Sequence, residues 1–166
     1  MTTTIALSPD QINRLDLSPA IKVIQDWLSN GAIAQHEQQL QFKIDYPQDP
    51  EDTLELSELP EVRLWFIRLD AVYPWLPYLL DWRAGELARY VAMLVPHQFS
   101  PKEGIQYNPQ ALDIFIMHKI FVMLGWLQSQ GIESESKLKA MAEMFGYDLN
   151  TGLFELLRAY PVSGAA

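Results

Sequence analysis

The sequence predicts an α+β fold that is predominantly helical: one compact domain over residues 1–166, with about six helices and one short antiparallel β element. Three observations support this. At 166 residues, one domain buries enough surface to sustain a core. The apolar content of 49% and charged content of 20% are ordinary for a globular protein. Most apolar residues recur at helical spacing, and one segment alternates with the period of a strand.

Two short helices are predicted near the start of the chain, with an ordered core over about residues 8–160. Ser8-Pro9 and Ser18-Pro19 each combine a serine N-cap with proline at the first helical position. Residues 1–4 are expected to fray, as is the tail after Tyr160.

One strand and a distant partner form the predicted β element. Residues 40–46 alternate apolar and polar side chains, which indicates a half-buried strand, and Pro47 stops it. Residues 105–107 follow a turn and carry apolar side chains. We expect them to pair antiparallel with residues 40–46.

Residues 61–73 fit either a helix or a strand. Their wide and continuous apolar stripe favours a helix, and a strand is the competitor. Pro74 and Pro77 then break the chain. A further helix is expected over about residues 82–94.

The longest predicted helix runs from Asn108-Pro109 to Gln130 and is apolar nearly all round, so we expect it at the centre of the fold. A membrane span is the alternative, but His118 and Lys119 interrupt the apolar run. No direct membrane insertion is therefore expected. Two shorter helices close the chain.

The net charge is −9, which disfavours nucleic acid and anionic lipid as partners, since both reward clustered lysine and arginine. The acids are concentrated between Lys43 and Arg63, where no base occurs. This run either forms a solvated loop and helix start or attracts a basic partner. Its seven acids are Asp45, Asp49, Glu51, Asp52, Glu55, Glu58 and Glu61.

The chain contains no cysteine, which removes disulfides, thiolate nucleophiles and cysteine-held iron–sulfur clusters from consideration. The first residues lack the basic and apolar regions of a secretory signal and the arginines of a transit peptide. A cytoplasmic location is expected.

No catalytic, cofactor or metal site is predicted. The three histidines lie far apart in sequence, and the glycines form no phosphate-binding loop or nucleophile elbow. An enzyme using His97 with Asp70 or Asp81 as an acid–base group is the remaining catalytic alternative.

Residues 61–99 interleave aromatic side chains with arginine, the cation that pairs and stacks in partly buried places. Such a segment either builds a core laced with polar groups or presents a recognition surface. Arginine over an indole face makes a good interface anchor. The candidate partner-binding residues are Arg63, Trp65, Arg68, Trp75, Trp82, Arg83, Arg89 and His97.

Four runs within this segment are distinctive: Glu61-Val-Arg-Leu-Trp-Phe-Ile-Arg-Leu-Asp-Ala, Tyr73-Pro-Trp-Leu-Pro, Leu80-Asp-Trp-Arg-Ala-Gly-Glu-Leu-Ala-Arg-Tyr and Met93-Leu-Val-Pro-His-Gln. By these runs the chain resembles the Chlororespiratory Reduction 6 family of cyanobacteria and chloroplasts, and the resemblance extends over roughly residues 15–158.

This resemblance implies a non-enzymatic, chaperone-like assembly factor for the photosynthetic NAD(P)H dehydrogenase-like complex, which serves cyclic electron flow. The implied client is the iron–sulfur subunit of the hydrophilic arm that carries two four-iron clusters, bound before its incorporation. The implied location is the cytoplasm, or the stroma for chloroplast members. A stable peripheral subunit of the complex is the alternative role.

Overall fold

The computed structural model describes residues 1–160, so the fraying expected after Tyr160 lies outside the described residues. The predicted α+β, predominantly helical class is confirmed. The chain divides into two units, residues 1–111 and 112–166. A single domain over residues 1–166 stays a prediction.

The described residues contain seven α-helices and four strands, with 3₁₀ turns between some of them. The strands are β1 (Thr3–Leu7), β2 (Leu40–Ile44), β3 (His97–Ser100) and β4 (Gly104–Tyr107). The helices are α1 (Pro9–Asn13), α2 (Ser18–Ser29), α3 (Pro60–Val72), α4 (Glu86–Leu94), α5 (Pro109–Ser129), α6 (Glu135–Glu143) and α7 (Thr151–Ala159). The 3₁₀ turns are Ile33–His36, Leu56–Glu58 and Leu76–Tyr78.

A strand begins at Thr3, so the prediction that residues 1–4 fray is wrong for Thr3 and Thr4. β1 pairs in parallel with β2, and Ile5 lies opposite Phe42. Ile5 and Leu7 are 4% and 1% exposed, and burying these side chains offsets the entropy cost of ordering the terminus. α1 then begins at the predicted place, where the Ser8 hydroxyl accepts from the backbone of Gln11.

The predicted pairing of residues 40–46 with residues 105–107 is also wrong. β4 pairs antiparallel with β3, its neighbour in the chain, and Phe99 lies opposite Ile105. This hairpin closes through a short turn, which costs less loop entropy than pairing with a strand some sixty residues away. On its other side, β2 meets Leu80 in a parallel bridge.

Residues 61–73 form a helix rather than a strand, because α3 buries one face made by Val62, Trp65, Phe66 and Leu69. The expected helix over residues 82–94 begins later, at Glu86.

Gly85 explains the late start of α4. It precedes the helix with a φ of 81°, a left-handed conformation that the interior of a helix does not accept. The Asp81 carboxylate accepts from the backbone of Ala84 at 3.1 Å and holds the turn.

Four aromatic rings form the centre of the first unit. Phe66 packs edge-to-face against Trp65, Phe42 and Tyr90, at centroid distances of 5.0, 5.3 and 6.0 Å. Such edge-to-face pairs add about 0.5–1.5 kcal/mol each beyond their area burial. This cluster joins β2, α3 and α4.

The apolar helix α5 has nearly the predicted bounds but is not buried on all sides, and its place at the centre of the fold stays a prediction. Ile114 is 72% exposed and Met117 38% exposed, while Ile116 and Ile120 are buried. α5 is also the helix in residues 1–160 that could cross a membrane, judged by length and composition alone. Lys119 lies near its middle and is 1% exposed, with its ammonium 5.3 Å from the Phe115 ring centroid.

The free energy of unfolding is expected to fall as pH rises from about 10 to about 12. Burial, followed by the charge of Glu37, raises the pKa of Tyr78 to about 12, whereas the pKa of an unfolded tyrosine is about 10. The unfolded state therefore loses its proton first, and the contribution present below pH 10 is lost towards pH 12. Urea denaturation across this range measures the fall, and Tyr78→Phe should make it shallower. An equally steep fall in Tyr78→Phe would contradict the assignment.

Candidate partner-binding surface

The tryptophans predicted to bind a partner belong largely to the interior. Trp65 is 0% exposed and Trp75 is 7% exposed. The Trp65 indole donates to the Asp16 carbonyl at 2.9 Å, and the half-buried Trp82 donates to the Pro77 carbonyl at 2.8 Å. These N–H groups are used within the fold, so a partner would meet at most part of the Trp82 ring.

Arg89 and Glu86 form a clamp between α4 and β2. The Arg89 guanidinium donates to both Glu86 carboxylate oxygens, at 2.7 and 2.9 Å, and to the Phe42 carbonyl. The Phe42 amide in turn donates to Glu86 at 3.3 Å. Glu86 is only 9% exposed, and a buried charge is costly unless it is paired. The Arg89 guanidinium compensates this charge within the fold.

Arg63 also has a structural partner. Its Nε donates to the Met93 carbonyl at 3.0 Å, which ties α3 to the end of α4. Arg68 and Arg83 differ, because both are exposed and neither has a hydrogen bond or ion pair with another residue in the range 1–160. Of the four predicted arginines, these two offer unused donors to a partner.

Arg68 lies within an exposed and mostly apolar stripe of α3. The spacing of these residues places them on one side of the helix, opposite the buried face. Leu64, Ile67 and Val72 are 45%, 43% and 49% exposed. We call this stripe the α3 outer face; it comprises Leu64, Ile67, Arg68, Ala71 and Val72.

His97 is half-buried at the start of β3 and has a partner for each ring nitrogen. Its Nδ1 lies 3.1 Å from the Val95 carbonyl, which only accepts, so Nδ1 carries the hydrogen. Its Nε2 lies 3.1 Å from the Ser57 hydroxyl, which donates to it when the ring is neutral. His97 therefore links the 3₁₀ turn at residues 56–58 to the hairpin.

The acid–base group considered for an enzyme is not assembled by these contacts. Asp70 accepts from the Tyr90 hydroxyl at 2.9 Å, and Asp81 accepts from the Gln41 side chain at 3.1 Å. Burial, and then the charge of Asp70, raises the pKa of Tyr90 well above its usual value. Both carboxylates thus bond to groups other than His97.

Residues 1–160 also contain no group of three or more His, Asp or Glu side chains able to hold a metal ion.

An open cleft of about 500 Å³ lies between the 3₁₀ turn at residues 56–58, α4 and the β3–β4 hairpin. We call it the hairpin cleft. Phe99 and Ile105 face each other across the hairpin and are 43% and 40% exposed, although both are large and apolar. The lining is Gln48, Glu55, Leu56, Ser57, Gly85, Ala88, Arg89, Ala92, Phe99 and Ile105.

Sequence reasoning missed most of the hairpin cleft: among its lining residues it singled out Arg89 as a partner-binding candidate and Glu55 as a member of the acidic run. The available signal was two large apolar residues placed symmetrically about the turn that begins at Ser100. That signal depends on pairing residues 97–100 with residues 104–107.

The family model described as Chlororespiratory reduction 6 matches residues 7–156 of the 166-residue chain. The matched range contains the α3 outer face, the hairpin cleft and all eight predicted partner-binding residues. No solved structure matches the chain.

Proposed function

This chain belongs to the Chlororespiratory reduction 6 family, and we propose that it is a non-enzymatic, chaperone-like assembly factor. Membership implies involvement in assembly of the NAD(P)H dehydrogenase complex. The proposed client is the iron–sulfur subunit of the hydrophilic arm that carries two four-iron clusters. The chain holds this subunit before it joins the photosynthetic complex and does not remain bound afterwards. The observation that carries the proposal is the family match over residues 7–156.

The exposed side chains of the first unit support a role in binding protein. Solvent-exposed Leu64, Ile67 and Val72 lie beside an unpaired arginine on the α3 outer face. Contiguous apolar groups combined with arginine are typical of interface anchors. In this proposal the partner-binding contacts come from Arg68, Arg83 and the exposed part of Trp82, while Arg63, Trp65, Trp75, Arg89 and His97 hold those surfaces in place.

The proposed location is the cytoplasm of a cyanobacterium, or the stroma in chloroplast members of the family. The net charge of −9 supports a protein partner rather than nucleic acid or an anionic lipid surface. A lysine near the middle of α5 would cost about 2.5–3.5 kcal/mol at the centre of a bilayer, which opposes direct membrane insertion of this helix.

Affinity capture of the tagged full-length chain from cells tests the proposed function. The iron–sulfur subunit should be recovered with the chain, and the chain should be absent from the purified mature complex. Loss of the chain should lower the abundance of the complex. Recovery of no dehydrogenase subunit, together with normal abundance of the complex, would reject the proposal. Stoichiometric presence in the mature complex would instead identify a peripheral subunit.

Replacing Arg68 or Arg83 by alanine should weaken client binding without changing stability. Neither side chain has a partner within residues 1–160, so the free energy of unfolding should stay within about 0.5 kcal/mol of wild type. Loss of an arginine at an interface costs about 1.4 kcal/mol or more, which is roughly tenfold in affinity. Capture of the client and thermal denaturation measure the two effects.

Two variants serve as controls for this experiment. Lys22→Ala removes an exposed positive charge from α2 and should leave both capture and melting temperature unchanged. Arg63→Ala removes the hydrogen bond to Met93 and should lower the melting temperature. Full client capture by both Arg68→Ala and Arg83→Ala would show that neither arginine contacts the client.

A further inference from the structure

The hairpin cleft exposes apolar surface that the fold itself does not cover. Phe99 and Ile105 lie on one face of the hairpin and both line the cleft. Across from them, α4 contributes the small side chains Ala88 and Ala92 beside Arg89, and the 3₁₀ turn contributes Leu56. Small residues on a helix let a neighbouring chain approach its backbone closely. The cleft therefore has the shape and lining to receive apolar side chains from an extended or helical segment.

The cation within the cleft is already neutralised. Arg89 donates to Glu86 and to the Phe42 carbonyl, so it offers little net positive charge to an acidic ligand. At the far end of the hairpin, Lys102 is followed directly by Glu103 in the turn. An acidic partner would find no uncompensated cluster of bases here.

Residues 45–61 contribute one side of the cleft and carry seven acids, one of which lines the cleft itself. Glu55 lines the cleft, as does Gln48, whose side chain donates to the Leu54 carbonyl at 2.7 Å and closes the intervening loop. Asp49 and Asp52 accept backbone N–H groups within that loop, which keeps their carboxylates on an ordered segment. None of the seven acids of residues 45–61 forms an ion pair with another described residue.

We propose that the hairpin cleft binds a segment of the client in which lysine or arginine side chains alternate with apolar ones. The apolar side chains occupy the space between Phe99, Ile105 and Ala88, and the basic side chains face the carboxylates of residues 45–61. The inference rests on the proposed function for the identity of the client. The acids of residues 45–61 increase the rate of association with a basic segment. Because salt screens this attraction, binding should weaken as salt is added.

Two synthetic 15-residue peptides with the same apolar residues test this chemistry directly. One carries lysine at every polar position and the other carries glutamate; fluorescence anisotropy measures binding to the full-length chain. The lysine peptide should bind at least tenfold more tightly than the glutamate peptide, and raising the salt from about 50 to 300 mM should weaken it severalfold. Equal affinity for the two peptides would overturn the inference.

Three variants locate the binding site. Phe99→Ser combined with Ile105→Ser removes the apolar wall, and Ala88→Trp fills the cleft from an exposed position without removing a contact. Each of these two variants should bind the lysine peptide at least tenfold more weakly than wild type does. Ile114→Ser on α5 alters a more exposed apolar residue and should bind the peptide like wild type. Unchanged binding by Ala88→Trp with a wild-type melting temperature would overturn the inference.

The same variants separate this inference from the proposed function. If wild type captures the iron–sulfur subunit and Ala88→Trp captures it equally well, the cleft inference fails and the proposed function stands. If wild type captures no dehydrogenase subunit, the proposed function fails, and the peptide titration still decides the chemistry of the cleft. A wild-type dimer that dissociates in Ala88→Trp would show that a second copy occupies the cleft, which also overturns the inference.

Discussion

Replacing Arg89 by alanine is expected to lower the free energy of unfolding by about 3 kcal/mol. Glu86 is 9% exposed, and Arg89 donates to both of its carboxylate oxygens. The substitution leaves that charge buried without its main compensation and removes a donor from the Phe42 carbonyl. Because the Arg89 side chain is 34% exposed, water can replace part of the lost interaction, which places the cost at the lower end for a broken buried pair. Urea denaturation measures the change.

Two further variants show whether this cost comes from the unpaired charge. Glu86→Gln combined with Arg89→Met removes both charges and should be more stable than Arg89→Ala alone, since no buried carboxylate is left behind. Arg83→Ala removes an exposed arginine six residues away and should stay within about 0.5 kcal/mol of wild type. Stability of Arg89→Ala within that same margin would show that the clamp contributes nothing.

Arg89→Ala is also expected to affect client binding indirectly, through the position of α4. Arg89 holds α4 to β2, and α4 forms one wall of the hairpin cleft. Loss of client capture by Arg89→Ala would therefore accompany displacement of that wall. Ala88→Trp acts on the same wall without breaking the clamp, so it reports on the surface alone.

Elements encoded by local signals were predictable from the sequence. Ser8-Pro9 predicts the start of α1, and proline and apolar spacing predict α2, α3 and α5 within a few residues. α4 begins late because Gly85 adopts a left-handed conformation before it, a detail that apolar spacing does not encode. Strand existence was partly predictable, since residues 40–46 alternate visibly.

Strand pairing depends on contacts that are distant in sequence, and there the prediction was wrong. β2 pairs with the N-terminal strand Thr3–Leu7, whose threonines gave no strong apolar alternation. Once that pairing is formed, and Leu80 bridges the other side of β2, residues 104–107 pair with the preceding strand of their own hairpin. Missing this hairpin also meant missing the apolar pair formed by Phe99 and Ile105.

The division of residues 61–99 between core and surface could not be obtained from composition. Tryptophan and arginine suit a buried polar network as well as an interface. The packing of α3 decides the matter, because one face meets Phe42 and Tyr90 while the other meets solvent. The exposed apolar residues of α3 are leucine, isoleucine and valine, which sequence reasoning had assigned no role in binding.

The acidic run of residues 45–61 combines the two interpretations that the sequence left open. Glu55 and Glu58 cap each other across the 3₁₀ turn at residues 56–58, and aspartates of the preceding loop accept backbone N–H groups. These local bonds are the structural role. The carboxylates lack basic partners among the described residues, so they also remain available to a basic segment.

Replacing Trp65 by alanine is expected to lower the free energy of unfolding by about 4 kcal/mol, whereas Leu64→Ala should change it by less than about 1 kcal/mol. Trp65 is 0% exposed and packs edge-to-face with Phe66 and Phe42, so its removal leaves a cavity at the centre of the first unit. It also leaves the Asp16 carbonyl without its indole donor. Leu64, its neighbour in α3, is 45% exposed, and alanine there keeps a good helix former.

Trp65→Ala and Leu64→Ala together show which residues of α3 stabilise the fold and which contact the client. Urea denaturation gives the two free energies, and client capture at a temperature where both variants are folded gives the binding effect. If the α3 outer face contacts the client, Leu64→Ala should lose client capture while keeping its stability. Trp65→Ala should capture the client normally at any temperature at which this variant is folded. A cost below 1 kcal/mol for Trp65→Ala would contradict its place in the core, because a cavity of that size cannot form so cheaply in a packed interior.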